Sequence, residues 1–273
     1  MAIGDISLTS AMRQNLLSLQ DTNQKMSSTQ GRLASGKKVN TPLDNPTNYF
    51  SAQSYLQRAN DLSIRKDGMG EAVQMLSAAN AGITGIQQLI QSAQGVASSA
   101  LGTSNTTEQS AYANTFNTLM SQINQLASDS GYKGTNFLTN GSQTVEFGQR
   151  TGAATLGITG FIATASGLNL SSVTSANWSV SAQIQTDAGK LESALSTLRT
   201  QASALSANLS AVTVRQNFTD SMINTLQGGA DNLTLADTNE EGANMLMLQT
   251  RQNLGISSLS MASQAAQAVL RLF

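Results

Sequence analysis

The chain has 273 residues, of which 11 % are charged and 4 % aromatic, whereas soluble domains average about a quarter charged. A formal net charge of -1 offers no basic field for nucleic acid or anionic lipid, so neither is expected as a partner. Cysteine and histidine are both absent, which excludes disulfides, thiolate metal sites, thiol nucleophiles and imidazole bases. Only carboxylate or Ser–Lys chemistry stays open to catalysis, and no phosphate loop, nucleophile elbow or metal motif accompanies it. The opening Met1–Gln20 lacks a basic stretch followed by an apolar core, so it does not read as a cleavable signal peptide. No apolar run nears the roughly 20 residues that span a bilayer.

In chain order, the first signal is a 4-3 apolar spacing through Met12, Leu16, Leu19, Asn23, Met26, Gln30 and Leu33. It predicts a coiled-coil helix closed by Gly36, with Asn23 and Gln30 as polar register residues in its seam. After an irregular Lys37–Asn45, Asn45-Pro46 reads as an N-cap and first helical residue. The helix that follows carries Tyr55, Ala59, Leu62, Met69, Val73, Leu76, Ile83 and Ile90 on one stripe. Five glycines weaken it, so packing must hold it. Beyond a turn at Thr103–Thr107, a third helix presents Tyr112, Phe116, Leu119, Ile123 and Leu126 and is expected to end at Gly131.

Between about Tyr132 and Trp178 small polar residues dominate. Thr144–Phe147 and Leu156–Ile158 are β-prone, which predicts one or two hairpins. Trp178 is expected to anchor this region against the next helix. From Ile184 to Leu226 a 4-3 spacing runs unbroken through Leu191, Leu198, Leu205 and Val212. A helix of about 45 residues would be near 70 Å long, with Gly228-Gly229 as its stop. Thr238 and Glu241 resemble a capping box. Asp237, Glu240 and Glu241 then serve the helix N-terminus better than a metal or acid–base site. The last helix has Met245, Leu248, Gln252, Gly255, Leu259, Ala262, Ala266, Val269 and Phe273 on its seam, and Leu246, Ile256 and Leu270 widen the stripe.

The fold class is therefore mainly α: long antiparallel helices in a coiled coil with a small β-hairpin region in the middle. The chain must fold back on itself, giving a nested two-domain rod. Residues 1–40 and 236–273 would form a terminal coiled-coil domain, and residues 41–235 a rod domain containing the hairpins at about 132–178.

Gln30–Asn40 (Gln-Gly-Arg-Leu-Ala-Ser-Gly-Lys-Lys-Val-Asn) and Asp44-Asn45-Pro46 resemble the N-terminal signature of bacterial flagellins. So does Asn15–Leu19. Ala236–Glu241, Leu248–Leu254 and Ser258–Gln264 resemble their C-terminal signature. The resemblance covers roughly residues 1–138 and 180–273, and the short middle identifies a minimal form without large outer domains. It implies a non-enzymatic structural subunit, without cofactors, that is secreted by the flagellar type III export apparatus. Such a subunit polymerises into an extracellular filament for motility. Implied partners are other copies of itself, an export chaperone on Glu240–Phe273, and the filament cap and hook-junction proteins. The terminal domain would be disordered in the monomer and ordered in the filament. Self-assembly would then fall to Met12, Leu16, Leu19, Met26, Leu33, Met245, Leu248, Leu259, Ala262, Ala266, Val269 and Phe273. Glycosylation near Gly141–Ser175 occurs in parts of the family. The stretch matching the innate Toll-like receptor site, around Gln88, Leu89 and Ser92, lacks the family's Arg and Glu and implies weak activation. The alternative within the same machine is a hook–filament junction protein. A flagellin with an inserted peptidase would need a His-Glu-x-x-His helix. A secreted coiled-coil adhesin explains the periodicity but not the paired end motifs.

Overall fold

The computed structural model describes residues 10–148 and 154–270. Six helices and two strands follow in order: α1 (Ser10–Ser35), α2 (Pro46–Leu101), α3 (Thr106–Asp129), β1 (Ser142–Glu146), β2 (Thr155–Thr159), α4 (Ser175–Trp178), α5 (Ser181–Thr234) and α6 (Thr238–Leu270). The chain forms two compact units, Met1–Gln57 with Thr225–Phe273, and Arg58–Asn224.

Local chemistry sets most helix ends. Gly36 adopts φ 68° directly after α1, a left-handed conformation open to glycine at no Cβ penalty. Asn45 caps α2, its Oδ1 accepting from the Asn48 N–H at 3.0 Å. Asn105 does the same for α3 from the Thr107 N–H. Three expected ends differ. Gly131 does not terminate α3. Ser130 does, at φ -79° and ψ 20°, its hydroxyl donating to the Leu126 carbonyl at 2.6 Å, and the left-handed residues are Lys133 and Gly134. The long helix does not stop at Gly228-Gly229 but runs on to Thr234. Each glycine costs about 1 kcal/mol of helix propensity, but Gly229 lies against the Tyr55 ring and Ala230 is buried. Packing outweighs propensity there. Finally, Asp237 rather than Thr238 caps α6, its Oδ1 accepting from the Asn239 and Glu240 N–H groups.

In the inner unit the apolar stripes of α2, α3 and α5 meet in one core. Met69, Leu76, Ile83, Ile90, Phe116, Ile123, Ile184, Leu191 and Leu198 are among its buried members. The β-region is one antiparallel hairpin, with Val145 opposite Leu156 and Gln143 opposite Ile158. Val145 and Ile158 point into the core. Trp178 is fully buried. Its ring packs on Phe116 with centroids 4.8 Å apart, and its indole N–H donates to Asp187 Oδ2 at 3.1 Å. It thus ties α4 to α3 and α5, and the hairpin is held by its own buried pair.

Candidate functional site

In the terminal unit α1 lies antiparallel along α6. Arg32 Nη1 meets Glu241 Oε1 at 3.1 Å, Asn23 Oδ1 accepts from Gln252 Nε2 at 2.7 Å, and Gly255 faces Leu19. Arg32, Asn23 and Leu19 of α1 thus find partners in reversed order on α6, which fixes the register. Beside this pair, Lys38 and Val39 donate backbone hydrogen bonds to the Thr234 carbonyl, and Ala236 donates to that of Gly36. The two chain segments entering the unit are clamped by main-chain bonds that any sequence could make.

The seam of α1 has a different phase from the one its apolar residues suggest. Met12, Thr22 and Thr29 are buried, and Asn15, Leu19, Met26 and Leu33 are half-buried, while Leu16, Asn23 and Gln30 are exposed. Threonine suits these inward positions because its hydroxyl is satisfied within its own helix: Thr22 Oγ1 donates to the Ser18 carbonyl at 2.8 Å. An amide carries more polar groups than that pocket can partner, so Asn23 flanks the seam and pairs outward with Gln252.

On α6, Leu248 is buried and Met245, Gln252, Leu259 and Ala262 are half-buried. Ala266 and Val269 lie further along the same helix, and Phe273 lies outside the described residues. The inward set therefore binds the two helices of one chain to each other. A second stripe remains uncovered. Met247, Leu254 and Met261 repeat at seven-residue spacing and are 52 %, 64 % and 64 % exposed, and Leu246 and Ile256 are exposed elsewhere on the helix. At 100° per residue these three fall roughly 120° around the helix from the seam that meets α1. Leu17 is similarly exposed on α1. Heptad counting alone favoured the inward stripe; the outward one was signalled only by the excess of apolar residues on α6.

The turn between α1 and α2 is built on Asp44. Its Oδ2 accepts from the Asn40 N–H at 3.0 Å, the Thr41 N–H at 2.8 Å and the Thr41 hydroxyl at 3.1 Å. The Thr41 and Asn40 amides, with Arg32 adding charge attraction, hold this carboxyl below its ordinary range. In the inner unit Lys133 pairs with Glu71 at 2.8 Å. That bond lowers the Glu71 carboxyl and raises the Lys133 ammonium.

Among the described residues no cluster of His, Cys, Asp and Glu is able to hold a metal. Nor is any described helix long and apolar enough to cross a membrane. Asp237 and Glu240 sit at the start of α6, and Glu241, nearly buried, is engaged by Arg32. In the inner unit Gln88 and Ser92 are exposed and Leu89 half-buried. They border a shallow groove with Gln122, Gln125, Leu126 and Asp129, so amides and one carboxylate line it.

The chain matches the family described as bacterial flagellin N-terminal helical region over residues 6–144. It is 27 % identical to the flagellin FljM of Caulobacter vibrioides, each covered over 100 % of its length. It is 26 % identical to a flagellin of Brucella melitensis, with 94 % of this chain and 95 % of that one covered. A crystal structure of Bacillus cereus flagellin aligns with 56 % of this chain and 88 % of its own at 18 % identity and a TM-score of 0.47.

Proposed function

The chain belongs to the bacterial flagellins, structural subunits of the flagellar filament, and from that premise we propose that it polymerises through the outward stripe of α6. The observation that carries this reading is Met247, Leu254 and Met261 standing exposed at heptad spacing. A heptad stripe is a helix-packing surface, and its own chain leaves it in water. Burying one such side chain is worth about 1.5–3 kcal/mol, so a neighbouring copy has three anchors to gain. A contact between two different faces of identical subunits whose rotation does not close into a ring propagates as a helical filament.

The polar seam of the α1–α6 pair supports a second element of the proposal. Thr22, Thr29 and Gln252 give that pair little apolar area of its own, so α1 and α6 become ordered mainly on joining the filament. This makes residues 1–40 and 236–273 the assembly domain and residues 41–235 the folded rod. Ordering coupled to assembly suits passage of an unfolded terminus through a narrow export channel. The same exposed stripe within Glu240–Phe273 suits an export chaperone, which would cover it before secretion. Cap and hook-junction proteins would meet it at the filament ends. The filament lies outside the cell, and the role is structural rather than enzymatic.

The test is electron microscopy of the purified chain seeded with short filament fragments. Long filaments of uniform diameter are expected. Monomers or short caps only, with intact termini, would transfer the reading to a hook–filament junction protein. Met247→Asp with Leu254→Asp is expected to prevent growth while leaving the far-ultraviolet circular dichroism of the rod in place.

A further inference from the structure

With neither cysteine nor histidine in the sequence, the thioether of methionine is the softest oxidisable group this chain offers. Its ten methionines are unevenly placed. Met69, Met75 and Met120 are buried in the inner core and Met12 is buried in the terminal unit. Met26, Met222 and Met245 are half-buried. The two exposed ones among the described residues are Met247 and Met261, at 52 % and 64 %. Both stand on the outward stripe of α6, fourteen residues apart with Leu254 midway between them.

We infer that Met247 and Met261 are modification sites for peroxide-class oxidants, whose sulfoxides block addition of the subunit to a filament. This rests on the proposed role of the α6 stripe in assembly. The step is a two-electron oxygen transfer. The sulfur lone pair attacks one peroxide oxygen and the O–O bond breaks. A proton passes from the transferred oxygen to the departing hydroxide, leaving sulfoxide and water. Sulfur is oxidised by two electrons and the peroxide is reduced. The reaction turns a flexible apolar side chain into a polar one at a place that must be desolvated against a neighbour. Burying a polar group without a partner weakens binding by about tenfold per group. A subunit carrying two sulfoxides would therefore be held out of the filament. Subunits already incorporated would have the same thioethers covered and protected. Methionine sulfoxide reductases reverse the change, so the block is a state of the unassembled chain rather than permanent damage.

The experiment treats the full-length monomer with hydrogen peroxide, follows each methionine by peptide mass spectrometry, and then measures seeded elongation. Met247 and Met261 should oxidise well before the inner-core Met69, Met75 and Met120. Elongation should slow by about tenfold or more once both are oxidised. Elongation of the double variant Met247→Leu, Met261→Leu should be the same before and after peroxide, whereas Met245→Leu should remain sensitive. In preformed filaments both sites should oxidise more slowly than in monomer. Unchanged elongation of the doubly oxidised chain, or equal sensitivity of the double Leu variant, would overturn the inference alone. Failure of the untreated chain to add to seeds would overturn the filament reading and this inference together.

Discussion

A Cβ built on Gly255 would stand 2.6 Å from Leu19 Cδ2 and 3.1 Å from its Cγ, so α1 and α6 meet at this point because one of them has no side chain. The consequence for substitution depends on which effect is larger. Alanine gains about 1 kcal/mol of helix propensity over glycine and loses a similar amount as the Leu19 tip shifts, so Gly255→Ala should be near neutral. Valine lacks that propensity gain and brings two more methyls, so Gly255→Val should weaken the helix pair by about 1–3 kcal/mol. Raised critical concentration for polymerisation is the readout. Leu19→Ala in the same chain should restore part of the loss, and strictly additive effects of the two changes would contradict the contact.

Trp178 is the sole tryptophan, and it joins Phe116 to Asp187 in the inner unit. Truncating a buried aromatic costs about 3–5 kcal/mol, so Trp178→Ala should lower the melting temperature of the unit by many degrees. Trp178→Phe keeps most of the volume but leaves the Asp187 carboxylate without its indole donor. Its cost should lie nearer 1–3 kcal/mol. In the unsubstituted chain the same indole reports on the core, with emission moving to longer wavelength in step with the loss of ellipticity.

How far the sequence disclosed these features differs with the kind of feature. The stripes of α2, α3 and α5 were readable because large aliphatic residues recur at helical spacing, and the α5 stripe lies in the core from Ile184 to Val212. Caps were readable where the signal was covalent, as at Gly36 and Asn45-Pro46. Failures occurred where tertiary contacts decided. Gly228-Gly229 stays helical because Tyr55 and the buried Ala230 hold that turn, information that lies far away in the chain. The inward phase of α1 was missed because Thr22 and Thr29 look polar, yet their hydroxyls bond within the helix. The α1–α6 pairing itself depends on Arg32, Asn23 and Leu19 meeting residues more than 200 positions later, which no local pattern encodes. Legibility was lowest for the proposed assembly surface, since one helix presents two stripes and heptad counting cannot say which faces its own chain.

Two carboxylates should give the fold an acid limit. The Asp44 carboxyl is held below its ordinary value by the Thr41 and Asn40 amides. A depressed folded-state value means the stabilisation is fully present above the unfolded pKa, about 3.9. It is lost as pH falls through the still lower folded value. Hydrogen exchange at the Asn40 and Thr41 amides should therefore accelerate below about pH 4, beyond the intrinsic pH trend. Asp44→Asn should show faster exchange at neutral pH and no such acid step. Glu71 behaves in the same sense, and its partner Lys133 in the opposite one, being raised. The Lys133 contribution is complete below its unfolded value, about 10.4, and is lost as pH rises through the folded one. The pair is thus intact across the neutral range, and because Lys133 is also what depresses Glu71, Lys133→Met should flatten the alkaline limb and the Glu71 part of the acid one.

The exposed Gln88 and Ser92 flank a groove lined by amides and a single carboxylate, Asp129, which gives a receptor few ion pairs to steer or anchor by. Innate-receptor activation should be weak. In a reporter-cell assay the response should fall well below that of a strongly stimulating flagellin at equal concentration. Placing charge on the rim by Gln88→Arg with Ser92→Glu should raise it, because these positions face solvent and tolerate long side chains. A full response from the unsubstituted chain would contradict this.

Removal of either end of the chain separates assembly from folding. The inner core draws its buried members from Met69 to Val212, so deletion of Met1–Gly36 or of Ala236–Phe273 takes nothing from it. Each deletion instead removes one partner of the α1–α6 pair and leaves the other with its inward seam uncovered. A lone helix of 26 residues with Thr22 and Thr29 on its buried side has little to hold it in water. Both truncated chains should keep the cooperative melt and buried-tryptophan emission of the inner unit and form no filaments on seeds. Filaments grown from the chain lacking Ala236–Phe273 would show that assembly proceeds without α6, and the α6 stripe would lose its role.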